Sequence, residues 1–206
     1  MDREYGFQDR LAMSRGVSQT TDVADIILEN VPGALQVHPA HKINDRHGTD
    51  YWVEHARGDH LSVDTKIREE DWAAKPAPFT ADDLALETWS VVEENIPGWT
   101  RDATKRTDYV LWFWQDTRRW CLIPFSLLCA VFRNNWAAWS HKYKTKQQTT
   151  TDMGRVYHSE CVFVPRREVW ASIYLRFSGV PKPPIKQNES DSETVVFDND
   201  LPPLSF

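Results

Sequence analysis

Only three cysteines occur in 206 residues: Cys121, Cys129 and Cys161. An odd number without a repeated spacing argues against a disulfide framework. It also excludes a four-cysteine zinc or iron–sulfur site within one chain. A reducing, cytoplasmic setting is therefore expected. No apolar run approaches the roughly 18 residues that a membrane span requires, so no membrane association is expected. The opening residues MDREYGFQDR are charged and lack an apolar stretch, so they do not read as a signal peptide. Internal repeats are missing too, which removes solenoids and propellers.

Aromatic residues are plentiful, with 10 Trp, 6 Tyr and 9 Phe. The length suits one domain of ordinary size and leaves two small ones open. It suffices for a core without covalent staples. The net charge of −6 argues against a polyanionic partner until it is divided along the chain. Residues 1–100 carry net −10, residues 101–186 net +9, and residues 187–206 net −5. The middle segment is basic enough to face nucleic acid if its charges cluster, and is otherwise a solvated mixed surface.

A helix is expected over VADIILEN, capped by Thr20-Thr21-Asp22 and stopped by Pro32-Gly33, with Val23, Ile26 and Ile27 on one face. Short strands follow at Ala34–His38 and Asp50–His55. His60–Arg68 alternates, with Leu61, Val63, Thr65 and Ile67 on one side and Ser62, Asp64, Lys66 and Arg68 on the other. The last two segments read as a hairpin around Arg57-Gly58-Asp59. Glu69–Asp83 is polar and reads as a loop, Leu84–Glu93 as a strand. Tyr109–Trp114 is apolar on both faces, as a central strand would be. Arg119–Pro124 reads as a strand, Phe125–Trp136 as a helix, and Lys142–Thr151 as a polar, mobile loop. Glu160–Val164 reads as a short strand and Arg166–Phe177 as the last helix. Residues 181–206 are rich in Pro, Ser and acids and read as a disordered tail.

Chemistry concentrates on the hairpin. Lys66 lies two residues after Asp64 and shares its face. With suitable pairing the Asp50 carboxylate converges on both, whereas a slip of one residue would turn either acid away. Two carboxylates and an ammonium suit phosphodiester hydrolysis. Asp50 and Asp64 could hold Mg2+, with Mn2+ as substitute, leaving positions for phosphate and water. The metal would polarise the phosphoryl oxygen and acidify its water. Lys66 would orient that water or offset charge on the phosphorane. A D-x-K tripeptide alone also fits an ordinary solvated strand face.

The segment Gly48-Thr49-Asp50-Tyr51-Trp52-Val53, followed by Leu61-Ser62-Val63-Asp64-Thr65-Lys66-Ile67-Arg68, resembles the PD-(D/E)XK nuclease superfamily. Glu87-Thr88-Trp89, Pro97-Gly98-Trp99 and Thr107-Asp108-Tyr109-Val110 extend the likeness to small phage or bacterial members, over roughly residues 20–135. Thr-Asp stands where the motif has Pro-Asp. The resemblance implies an α/β fold with a central mixed sheet flanked by helices, a restriction-endonuclease-like core within a single domain over residues 1–180. It also implies magnesium-dependent DNA cleavage by Asp50, Asp64 and Lys66. Glu87 would add a ligand or hold the lysine, unless it is a plain solvated residue. An acid on the first helix is frequent in the superfamily, with Glu29 the best candidate and Asp22 and Asp25 behind it. Many members act as dimers, so a homodimer is open, and the likeness to phage and bacterial members implies the cytoplasm of a bacterial or phage-infected cell. The alternative is a catalytically inactive relative that binds nucleic acid or a protein partner, such as a mobile-element inhibitor.

Weaker signals remain. His38 and His41 lack a second pair and read as surface residues. His47 and His55 flank Asp50 and are candidates for touching substrate. Trp112 and Trp114 read as core rather than as base-stacking platforms. Arg118, Arg119, Arg133, Lys142, Lys144 and Lys146 are candidate phosphate contacts. The terminal FDNDLPPLSF resembles in composition the C-terminal tips of single-stranded DNA-binding proteins, which dock on partners; a plain solubilising tail is the simpler reading.

Overall fold

The computed structural model describes residues 21–40, 48–78, 80–152 and 155–178. His41, His47 and the tail expected over 181–206 lie outside them. The order begins with α1 (Thr21–Asn30), β1 (Ala34–Pro39), β2 (Tyr51–His55) and β3 (His60–Arg68). β4 (Asp83–Val91), β5 (Ile96–Pro97), β6 (Tyr109–Trp114) and β7 (Trp120–Pro124) follow. The chain closes with α2 (Phe125–Lys142), β8 (Thr145–Asp152), β9 (Arg155–Pro165) and α3 (Arg166–Phe177). Among the described residues no helix is long and apolar enough to cross a membrane.

Two sheets form. The first is mixed, in the order β1-β2-β3-β6-β7, and the second is antiparallel, in the order β5-β4-β9-β8. β1, β2 and β3 make an antiparallel meander, β6 runs parallel to β3, and β7 returns antiparallel to β6. A parallel partner requires a crossover. Here that crossover carries β4 and β5, so the second sheet begins inside it. Asp108 holds the parallel pair in register. Its carboxylate accepts from the Ser62 N–H at 2.7 Å and the Ser62 hydroxyl at 2.8 Å.

Both faces of the first sheet are covered. On one, Val23, Ile27 and Val31 of the α1 region pack against Tyr51, Val53, Val63, Leu111 and Phe113. On the other, Val110, Trp112 and Trp114 meet Leu84, Leu86, Val162 and Val164 of the second sheet together with apolar residues of α2 and α3. Each such aliphatic side chain contributes about 1.5–3 kcal/mol on burial. β6 is apolar on both sides because it lies between these two clusters.

The segment expected as a loop over Lys142–Thr151 is instead largely strand β8, and β9 extends well before Glu160. β8 is an edge strand that pairs only with β9 and is exposed along most of its length, so its TKQQTTTD sequence has no need of apolar alternation. α2 likewise runs past Trp136 to Lys142, burying Trp139 in its last turns. Glu69–Asp83 holds one 3₁₀ turn, Trp72–Ala74, capped by Asp71.

Candidate active site

β2 begins at Tyr51, which pairs with Val63. Beyond that point β3 has no β2 backbone beside it, and the Asp50 side chain takes over. Asp50 Oδ2 accepts from the Thr65 N–H and from the Thr65 hydroxyl, both at 2.7 Å. The carboxylate thus supplies the acceptor that a longer β2 would have offered, and it is fixed at the edge of β3.

Asp64 and Lys66 follow the alternation of β3 and lie on the face turned away from α1. Asp64 is 5 % exposed. The Lys66 ammonium spans both of its oxygens, at 2.8 Å to Oδ1 and 2.7 Å to Oδ2. It also sits 4.8 Å from the centre of the Trp99 ring. Trp99 stacks on Phe125 and tilts against Trp112, so the lysine stem runs beside an aromatic wall.

Glu87 reaches the same region from β4. Its Oε2 accepts the Trp99 N–H at 3.0 Å, and the Thr100 hydroxyl bonds the Glu87 carbonyl. Gly98 makes this possible. A Cβ there would stand 2.3 Å from the Glu87 carbonyl oxygen and 2.7 Å from its Cγ.

Electrostatics tie the groups together. Burial raises the Asp50 pKa above the usual carboxylate range, and the nearby Asp64 charge adds to this; the Thr65 donors and Lys66 oppose it. Burial also raises Glu87, against the Trp99 N–H and the charges of Lys66 and Lys105. Cys161, the register partner of Glu87, is pushed up to about 12 by burial and is no nucleophile.

Asp50, Asp64, Lys66 and Glu87 are thus brought into one electrostatic neighbourhood. As a metal site the donor chemistry is suitable: hard carboxylate oxygens, two of them in like-charge conflict that a cation would relieve. Among the described residues no three His, Cys, Asp or Glu side chains converge as a metal-holding group. Magnesium commonly takes only one or two carboxylates and completes its shell with water and phosphate. Lys66 now stands where a cation on Asp64 would stand.

The other candidates are dispersed. α1 packs on the opposite face, where Glu29 and Asp25 are exposed and Asp22 pairs with Arg118 at 2.8 Å. Arg119 is spent internally. Its Nε and Nη2 grip Asp71 at 2.6 and 2.7 Å, its Nη1 reaches Asp82 at 2.7 Å, and its guanidinium lies 4.0 Å from the Trp114 ring. Arg133, Lys142, Lys144 and Lys146 are exposed, the last two leading into and along the β8 edge, and Lys142 lies over Tyr143. His55 is occupied by Asp59 and the Pro32 carbonyl, and His38 by Glu54. Trp112 and Trp114 are buried.

Two participants emerge only in the folded chain: Trp99, as the wall beside Lys66, and Lys105, whose charge reaches Glu87. No protein-family model, curated protein or solved structure matches this chain.

Proposed function

We propose that this chain is a magnesium-dependent nuclease that hydrolyses DNA phosphodiester bonds, on a restriction-endonuclease-like core of the PD-(D/E)XK type. The observation that carries the reading is the electrostatic link of Asp50 to Asp64 and Lys66: an acid just before one strand, bonded to Thr65 between the two residues of a D-x-K face on the next, with its pKa raised by the Asp64 charge and opposed by Lys66. The order of α1, a three-strand meander and a parallel fourth partner, with helices on both sides, agrees with it.

Asp50 and Asp64 would hold the cation. Bound magnesium supplies Lewis acidity toward a phosphoryl oxygen and a more acidic water. The chain's own groups do the rest. Lys66 places positive charge where the phosphorane gathers negative charge. Glu87, held on one oxygen by Trp99, keeps its other oxygen to orient water or to take a proton. Burial of Asp64 strengthens each of these interactions relative to open solvent.

The test is cleavage of linear, circular and branched DNA by the purified chain with magnesium. Asp64→Ala and Lys66→Ala should each fall to background. Retained cleavage in either would place the activity elsewhere.

A second reading is a binding protein on the same framework without hydrolysis. The closed pairing of Lys66 with both Asp64 oxygens favours it, since the charge there is already satisfied. Calorimetric titration with manganese separates the two. Uptake that disappears in Asp50→Asn supports the nuclease; no uptake supports the binder.

A further inference from the structure

Lys66 is committed to Asp64, which leaves the site short of a cation free to meet substrate. A second ammonium stands beside it. Gly48 adopts φ +83°, a conformation that side chains rarely take. A Cβ at that glycine would lie 3.2 Å from both Cδ and Nζ of Lys105 and 3.7 Å from Asp64 Oδ2. Gly48 is thus a notch that seats the Lys105 stem beside the Asp64 carboxylate. Among the described residues Lys105 has no ion-pair partner, although its charge is felt at Glu87.

The loop presenting Lys105 is anchored on both sides. Before it, the Arg101 and Asp102 N–H groups bond the Gly98 carbonyl, and Thr104 donates twice to Asp102 Oδ1, at 2.8 and 2.7 Å. After it, the Thr107 hydroxyl bonds the Tyr109 carbonyl at 3.1 Å, and Asp108 clasps Ser62. Lys105 is thus a half-buried lysine on a pinned loop, beside a carboxylate cluster and without an ion pair among the described residues.

We propose that Lys105 is the phosphate-binding group of this site. A nucleic-acid phosphate at this site takes the Lys105 ammonium. The inference rests on the reading above for the nature of the substrate, but it does not require hydrolysis.

The experiment measures anisotropy of a short fluorescein-labelled DNA duplex, and of its single strand, across a salt series with EDTA present, alongside magnesium-dependent cleavage. Lys105→Met is expected to weaken binding roughly tenfold at low salt and to reduce the salt slope by about one. Lys105→Arg should keep most of the affinity. Gly48→Ala should weaken binding as Lys105→Met does, with circular dichroism and Tm reporting that both variants are folded. Lys75→Met, on a lysine near Glu70 and Asp116, is the control and should match wild type. If wild type cleaves and Lys105→Met binds and cleaves unchanged, the inference is overturned and the nuclease reading survives. If wild type binds without cleaving and Lys105→Met loses affinity, the inference survives and the nuclease reading fails. If wild type binds neither DNA, the inference fails, and the nuclease reading fails with it where magnesium-dependent cleavage is absent as well.

Discussion

Asp71 and Arg119 form a two-pronged ion pair in which the carboxylate is 1 % exposed and every acceptor is filled. Arg119 Nε and Nη2 take one oxygen each, the Thr117 hydroxyl adds to Oδ2, and the Ala73 N–H adds to Oδ1. Removing the arginine strands a buried charge. Arg119→Met should therefore cost about 3–5 kcal/mol in chemical denaturation. Arg118→Ala, which loses only an exposed pair with Asp22, should cost no more than about 1 kcal/mol. Similar losses in both variants would refute the assignment of Arg119 to structure.

The same pair sets an acid limit. The Arg119 hydrogen bonds, with help from Thr117 and the Ala73 N–H, hold Asp71 below the ordinary carboxylate value. A depressed folded pKa gives stability that is complete above the unfolded value near 3.9 and disappears as pH falls through the folded one. Wild type should lose stability steeply below about pH 4, the unfolded carboxylate value. Arg119→Met should show a shallower loss, since the contribution is already gone. Urea midpoints measured across acidic pH provide the check.

Glu87 carries the opposite sign. Its pKa is raised chiefly by burial, so the folded chain holds that proton more tightly than the unfolded one. Its contribution is favourable below the unfolded value and fades as pH rises through the folded value. Glu87→Gln, which keeps an oxygen for the Trp99 N–H, should therefore raise stability at pH 7 by an amount on the order of 1 kcal/mol. It should also flatten the pH dependence between those two values. If the proposed chemistry holds, the same variant loses cleavage. A fall in Tm at neutral pH would contradict the account.

Gly98 is sterically locked against the Glu87 backbone. Gly98→Ala should cost about 1–3 kcal/mol through overpacking and should push Glu87 away from Trp99. Calorimetry reads the first effect. Loss of cleavage beyond what Tm explains reads the second.

Much of this architecture was legible in the residues. His60–Arg68, Tyr109–Trp114 and Arg166–Phe177 occupy the bounds expected for them: the first alternates, the second is an unbroken apolar run between two core clusters, and the third is a helix that starts directly after Pro165. β8 was illegible, since a strand wetted on both sides and paired along one edge carries no pattern. The D-x-K face was readable from period two. The position of Asp50 beside Thr65 was not, because it depends on where β2 ends. Lys105 lies 57 residues beyond Gly48 and meets it only through the crossover. Gly48, a turn signal two residues before Asp50, was the one available hint, and it named no partner.

The insertion of β4 into the crossover has a temporal consequence. Leu84 finds its neighbour Val164, and Glu87 its neighbour Cys161, only after β9 has left the ribosome, more than 70 residues later. The meander bearing Asp64 and Lys66 can pair as soon as it emerges, but the wall opposite waits for the C-terminal hairpin. A chain made only as far as β7 therefore presents Asp64 and Lys66 without the settled β4 that carries Glu87. Any activity that depends on Glu87 switches on only once β9 has emerged.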